Sequence, residues 1–282
     1  MFVVTAAGGR TGTAVVRALR ARSLPVRALV GTPRAHPQLS ALGADVAATE
    51  LAGPAGLVPH LAGAVALYVI WPNFDPGEAA GAAALFAAAR RAGVPRIVYH
   101  SVLRPQARAM PHHAAKDRAE EALDAGGPAW RVLQPCAYAD NLDAALAGAA
   151  RDGVLRSPWG LVRGQSFVDL RDVADAAVVL LTEDGLDGGT FEAAGPEPLT
   201  APEVAARFAD RLGRPVRAVD AVPDGPVPPA GEYAARCARL MFDHYRAHGF
   251  TGSPRVLAAL LGRPPRTLAE HLADVPLPGV AA

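Results

Sequence analysis

The sequence predicts an α/β protein built on a parallel sheet, and three observations predict it. From residue 1 to about 135, short β-branched runs alternate with longer alanine-rich segments, the rhythm of strand-helix units around a parallel sheet. A glycine turn, "TAAGGRTG", separates the first strand run from the first helical run. Helical runs also carry start signals: "DPGE" at 75–78 offers Asp75 as N-cap, Pro76 at N1 and Glu78 at N3.

In order, the strand candidates are "FVVT", "PVRALV", "ADVAAT", "VALYVI", "PRIVYH" and "AWRVLQ". Helices are expected at 10–21, 55–62, 76–92 and 111–125. Past residue 150 the rhythm loosens. There "SFVDLRDVADAAVVLL" reads as a strand entering a helix, and "TAPEVAARFADRL" opens on a capping box from Thr200 to Glu203. The proline-rich "VPDGPVPPAG" at 222–231 reads as a surface connection. The expected organisation is a first domain over residues 1–150 and a smaller lobe over 151–282, partly interleaved with the first.

Composition narrows the function. The 282 residues are 51% hydrophobic and 20% charged, which describes a globular chain with a full core. A formal net charge of +1 makes no electrostatic case for nucleic acid. Cys136 and Cys237 are the only cysteines, too few for a disulfide framework or a zinc cluster, so no metal is expected and a reducing cytoplasm is. "MFVVT" lacks the features of a secretory signal, and "LAGAVALYVIW" at 61–71 falls short of the roughly 20 residues of a membrane helix, so no membrane partner is expected either.

The glycine turn carries the first chemistry. Gly8, Gly9, Arg10, Thr11 and Gly12 lie where a strand hands over to a helix. Glycine there lets the backbone approach a pyrophosphate, whose charge is met by the helix N-terminus. The bland alternative is a tight connection that binds nothing. Ala6 stands where such turns usually have glycine, at a cost if that residue needs positive φ. At the end of the second strand no acidic residue is present to hold the ribose hydroxyls of NAD. Gly31 and Thr32 leave room, and Arg34 with Arg10 can face a 2′-phosphate, so the residues favour NADP over NAD, the alternative being that both arginines are ordinary surface charges.

With these motifs in place, the chain resembles the NmrA-like branch of the atypical short-chain dehydrogenase/reductase superfamily. "TAAGGRTG", "WPNFDPGE", "VYHSVLRPQARAMPHHAAKDRAEEAL", "WRVLQPCAYADNL", "FVDLRDVADAA" and "FEAAGPEPLTAPEVAARFADRLGRPV" are similar to successive blocks of that branch. The resemblance implies a Rossmann-like, doubly wound sheet with NAD(P) across its strand ends and a smaller C-terminal α/β lobe over the substrate. It also implies one of two activities: reduction of quinones and related conjugated acceptors, or cofactor-binding regulation without catalysis.

In dehydrogenases of this superfamily a tyrosine stands four residues before the active-site lysine. Here Lys116 is preceded by His112 at that position. Residues 112, 113, 116 and 120 share one side of a helix, which puts Lys116 at an edge facing the sheet. The expectation is that Lys116 holds the nicotinamide ribose, Ser101 orients a substrate oxygen, and His112 or His113 donates a proton. The alternative is that Lys116 pairs with Glu120 on a solvated helix while the histidines cap its start. Trp71, Phe74, Met110 and Tyr138 are candidates for an aromatic wall against a planar substrate, or for core packing. Asp169 and Asp172 are expected to serve as a cap and a dipole-compensating charge.

The leading expectation is therefore an NAD(P)H-dependent oxidoreductase that transfers hydride to a conjugated carbonyl or quinone-like small molecule. The alternatives are a redox-sensing regulator that binds NAD(P) and signals to a protein partner, and a redox-neutral isomerase or cyclase of secondary metabolism.

Overall fold

The computed structural model describes residues 1–31, 36–51, 53–221 and 231–277. The chain begins β1 (Phe2–Val4), α1 (Arg10–Ala21), β2 (Val26–Val30), α2 (Pro37–Ala41), β3 (Asp45–Ala48) and α3 (Pro54–Leu61). It continues with β4 (Ala66–Val69), α4 (Glu78–Arg91), β5 (Arg96–His100), α5 (Pro111–Glu121) and β6 (Ala129–Pro135). Then come β7 (Ala137–Tyr138), α6 (Asp143–Asp152), β8 (Val154–Ser157), β9 (Gln165–Val168), α7 (Leu170–Thr182) and β10 (Gly189–Ala193). The remainder is β11 (Pro198–Leu199), α8 (Ala201–Leu212), β12 (Arg217–Asp220), α9 (Glu232–His248), α10 (Pro254–Leu261) and α11 (Leu268–Asp274).

All six expected strands of the first half are present, and so are its four expected helices. The short α2 has no counterpart in the expectations, because five residues opening on Pro37 carry too little periodicity to read. The expected connection at 222–231 falls almost wholly outside the described residues. The chain divides into two compact units. The first is Met1–Arg108, His112–Gln134 and Val173–Phe191; the second is Ala109–Pro111, Pro135–Asp172 and Glu192–Ala282.

In the first unit the strands run β3-β2-β1-β4-β5-β6, each neighbouring pair parallel, with β10 beyond β6. The order reverses between β1 and β4, and in open α/β sheets such a reversal opens a crevice at the carboxyl ends of the strands. Thr5 spans this point: its hydroxyl donates to the Ile70 carbonyl at 2.7 Å and accepts from the Ile70 N–H at 2.8 Å. Helix α1 buries Gly12, Val15, Val16 and Leu19, a single stripe at helical spacing. A Cβ on Gly12 would lie 2.6 Å from the Ala6 carbonyl oxygen, so glycine alone lets this helix approach the turn that precedes it.

Asp75 does not cap α4 as expected. The helix starts at Glu78 behind Gly77, and Asp75 instead accepts from the Gly77 N–H at 2.8 Å and the Trp71 indole N–H at 3.1 Å. Trp71 lies in the core against Gly81, where an added Cβ would sit 2.0 Å from the indole ring.

The second unit holds a three-stranded sheet, β11-β9-β7, and a two-stranded one, β12-β8. Thr200 and Glu203 form the expected capping box. Asp169 caps α7 by accepting from the Arg171 N–H at 2.7 Å. Asp172 is more than a compensating charge: fully buried, it accepts from Arg263, Arg266 and the Arg266 backbone N–H. His271 on α11 bridges Asp143 at 2.9 Å and Asp169 at 3.2 Å. Burial opposes its charge, but hydrogen bonds to Asp169 and Asp143 outweigh burial and push the imidazole up to about 9.

Ala6 has φ +46°, a left-handed conformation that disfavours a side chain. Ala6→Gly is expected to raise unfolding stability by about 1 kcal/mol, read from urea denaturation. His271 gives a second expectation. An unfolded histidine titrates near 6.5, so its folded-state gain is complete below that pH and is lost as pH climbs through about 9. The unfolding free energy of the wild type, from urea denaturation, should fall across this window by an amount on the order of 2 kcal/mol, while that of His271→Gln stays flat.

Candidate active site

The carboxyl ends of β1, β4 and β5 face the crevice, and the loops that leave them are strained. Four non-glycine residues have positive φ among the described ones; Ala6 follows β1, Phe74 (+59°) follows β4 and Arg104 (+56°) follows β5. Such conformations cost about 1–3 kcal/mol each and persist only where the surroundings impose them.

The glycine turn leaves β1 through Ala6. Gly8, Gly9 and Arg10 are exposed, Thr11 is half-buried and Gly12 is buried. Helix α1 opens on Gly9 with no side-chain cap and no acidic residue in its first turn, so its leading N–H groups meet no competing carboxylate. A Cβ at Gly31, after β2, would meet nothing within 4 Å among the described residues. A helix start bare of side-chain caps and carboxylates fits a dinucleotide passing over the turn. Arg34 and Thr32 lie outside the described residues. His36, which sequence reasoning did not single out, stands over the turn: a Cβ at Gly8 would be 2.7 Å from its ring.

Lys116 is buried on α5, and its partner is Glu78 of α4 at 2.5 Å, not Glu120. A weaker contact of 3.4 Å reaches the His100 carbonyl, and the ammonium lies 5.6 Å from the centre of the Tyr99 ring. Glu78 is fully buried, and the same oxygen that meets Lys116 accepts from the Tyr99 hydroxyl at 2.9 Å. An ammonium has three N–H donors; two acceptors are within reach among the described residues, so one N–H remains for a ligand oxygen.

Ser101, just past β5, is buried and donates to Glu120 in a short hydrogen bond. Gln134 donates to both oxygens of Glu120, at 2.9 and 3.0 Å. Burial raises the Glu120 carboxyl above the usual range, against the lowering effect of Ser101 and Gln134. Ser101 is thus anchored by the carboxylate that the alternative sequence reading paired with Lys116.

His112 is buried with its ring edge-on to Phe74 at 4.8 Å and to His113 at 4.6 Å. Burial, with His113 and Lys116 nearby, pulls its imidazole down to about 3. At neutral pH His112 is therefore an uncharged hydrogen-bonding group, not the imidazolium that a histidine proton donor requires. Its Nδ1 is buried and has no hydrogen-bond partner among the described residues. His113 points its Nδ1 at the Arg104 carbonyl, 3.0 Å away. His100, unremarked in the sequence, meets the Tyr68 hydroxyl at 2.6 Å; burial and then Lys116 pull it down to about 3.

The first unit thus brings together Lys116, Ser101, His112, His113 and Phe74. Trp71 joins the core, and Tyr138 belongs to the second unit, paired on β7 with Val168 of β9. Met110 is fully buried there as well. Among the described residues no cluster of three or more metal-ligating side chains occurs, and no helix is long and apolar enough to cross a membrane.

A parallel sheet that reverses at β1/β4, an uncapped glycine-opened helix and a buried lysine near the β5 end place the protein in the Rossmann class. The chain belongs to the NmrA-like family, whose model matches residues 1–227. It is 32% identical over 225 residues to the NAD(P)H azoreductase of Xenophilus azovorans, covering 78% of this chain and 76% of that protein. A structure of the NADPH-dependent quinone oxidoreductase of Escherichia coli complexed with NADPH superposes with a TM-score of 0.84 at 23% identity, covering 97% and 99% of the two chains. The negative transcriptional regulator NmrA superposes with a TM-score of 0.82 at 18% identity, covering 97% and 95%. At those identities the two structures attest the fold alone.

The two site histidines make a direct expectation. Titrated by NMR, the His112 and His100 ring resonances should keep their neutral-form shifts from pH 8 down to about 4. A midpoint near 6 for His112 would restore it as a charged acid.

Proposed function

We propose that the protein is an NAD(P)H-dependent oxidoreductase, acting in the cytoplasm, that passes hydride to a planar, conjugated small molecule such as a quinone, an azo compound or a conjugated carbonyl. The observation that carries this reading is the buried ammonium of Lys116 next to the carboxyl end of β5 with an N–H to give. The azoreductase relative supports it independently.

NADPH, when bound, supplies the hydride. The backbone from Gly8 to Gly12 and the first N–H groups of α1 receive the pyrophosphate. Lys116 donates to the nicotinamide ribose. Arg10 faces the 2′-phosphate, and the lack of an acidic residue after β2 favours NADP over NAD. The uncharged ring of His112 offers a hydrogen bond to the acceptor, with Phe74 setting the plane of that ring, while Ser101, its hydroxyl proton given to Glu120, is left with lone pairs to accept. Tyr138 and Trp71 are secondary here, the latter because its indole is committed to Asp75 and Gly81.

A second reading, a redox-sensing regulator, is favoured by the hold of Glu120 on Ser101 and by the uncharged state of His112, which is not an imidazolium able to donate a proton. Consumption of NADPH with a quinone or azo dye separates the two. The expected outcome is turnover, together with a fall of roughly 10-fold to 100-fold in NADPH affinity, by calorimetry, in the double variant Lys116→Met/Glu78→Gln. The double change avoids leaving a carboxylate buried alone. Wild-type affinity in that protein would remove Lys116 from the cofactor site.

A further inference from the structure

Lys116 is the only lysine in the chain. Of 28 lysines and arginines, the other 27 are arginine. The difference is chemical: arginine presents five donors in a rigid plane, whereas lysine presents a compact ammonium with three. Around Lys116 the structure offers one carboxylate oxygen at 2.5 Å and one carbonyl at 3.4 Å, a setting that suits an ammonium and would leave most of a guanidinium unbonded.

The carboxylate comes from another element. Glu78 is the first residue of α4, the helix that follows β4 at the point where the sheet order reverses, and it is the only charged residue in "EAAGAAALFAAA". Its position at a helix N-terminus favours the anion. One oxygen accepts from both Lys116 and Tyr99; the other has no partner among the described residues. A buried ion pair is seldom the cheapest way to fill a core, since apolar residues of similar volume often serve as well or better. A pair kept here, at the crevice end of the sheet, has a use beyond packing.

We propose that Glu78 is a positioning residue for cofactor binding: it fixes both the place and the positive charge of Lys116, so that the ammonium remains a donor to the ribose hydroxyls of the dinucleotide at alkaline as well as neutral pH. The inference rests on the reading of Lys116 as the cofactor lysine. Of the other groups facing the ammonium only Glu120 also attracts it, and the ion-pair contact among the described residues is with Glu78. On β5, burial and then Glu78 push the Tyr99 phenol well up, and His100 is pulled down to about 3, so both are uncharged near neutrality. On α5 itself, His112 is uncharged and Glu120 is engaged by Ser101 and Gln134.

A single lysine makes the test direct, because protein labelled with lysine carrying 13C at Cε has one such resonance. Its titration would be followed without cofactor in the wild type, Glu78→Gln and Glu78→Asp, and NADPH affinity measured by calorimetry from pH 6.5 to about 9.5. In Glu78→Gln the midpoint should fall by about one to three pH units, and affinity, near wild type at the acidic end, should drop about tenfold or more as pH rises. Glu78→Asp keeps the charge but shortens the reach; its midpoint should stay near wild type while affinity falls about tenfold at every pH. An unchanged midpoint and parallel affinity profiles in Glu78→Gln would overturn the proposal. Should Glu78→Gln not fold, wild-type affinity in Glu78→Asp would overturn it. Failure of the underlying reading looks different: the double variant Lys116→Met/Glu78→Gln would then bind NADPH as the wild type does.

Discussion

A buried ammonium requires a buried anion, and in this protein that requirement organises the crevice end of the first unit. Lys116 comes from α5, Glu78 from α4 and Tyr99 from β5, and one oxygen of Glu78 receives both of the others. The charges are taken out of water, so their attraction is strong and so is the penalty for any misfit. A second network runs beside the first. Glu120, one turn along α5 from Lys116, binds Ser101 and Gln134 instead of the lysine. Two carboxylates on two helices therefore hold two groups at the β5 end, and neither group is free to drift.

Backbone strain gathers at the same end. Ala6, Phe74 and Arg104 occupy left-handed conformations in the loops after β1, β4 and β5. Each is tied to something that explains its survival. The Ala6 carbonyl crowds Gly12, the Phe74 ring meets His112, and the Arg104 carbonyl faces His113. Strain of this kind is tolerated where a rigid scaffold imposes it. Phe74 is the strongest case, because a bulky residue at φ +59° is a conformational outlier, and its ring meets His112 edge-on.

Much of the fold was legible because parallel strands, buried on both faces, leave short β-branched runs that periodicity detects. "PVRALV" and "PRIVYH" needed no tertiary information. α2 escaped because five residues cannot display a helical period. The site was legible only in part. The glycine turn and Lys116 announce themselves by spacing, but the partner of Lys116 lies 38 residues away on another helix. Capping rules gave Glu78 to the start of α4, and helical spacing offered Glu120 as the alternative partner of Lys116, since neighbours along a helix are all that a linear reading sees. Two signals were available: a lysine without company among 27 arginines, and a lone carboxylate opening an alanine helix. The state of His112 was not legible at all, because it is set by burial and neighbours rather than by residue type.

That state bears on the substrate under the proposed function. Reduction of an ordinary ketone builds charge on an alkoxide, which calls for an acid that gives up its proton in the transition state. An uncharged imidazole supplies a hydrogen bond but is a poor source of a proton, and Ser101 already donates to Glu120. Hydride added to a quinone or an azo group leaves negative charge that the conjugated acceptor delocalises, so hydrogen bonds from fixed donors suffice and protonation can follow from water. The site thus selects by what it lacks. Under that function, with Lys116 held by Glu78 and serving the cofactor, an uncharged His112 would favour acceptors able to hold the charge themselves over simple carbonyls.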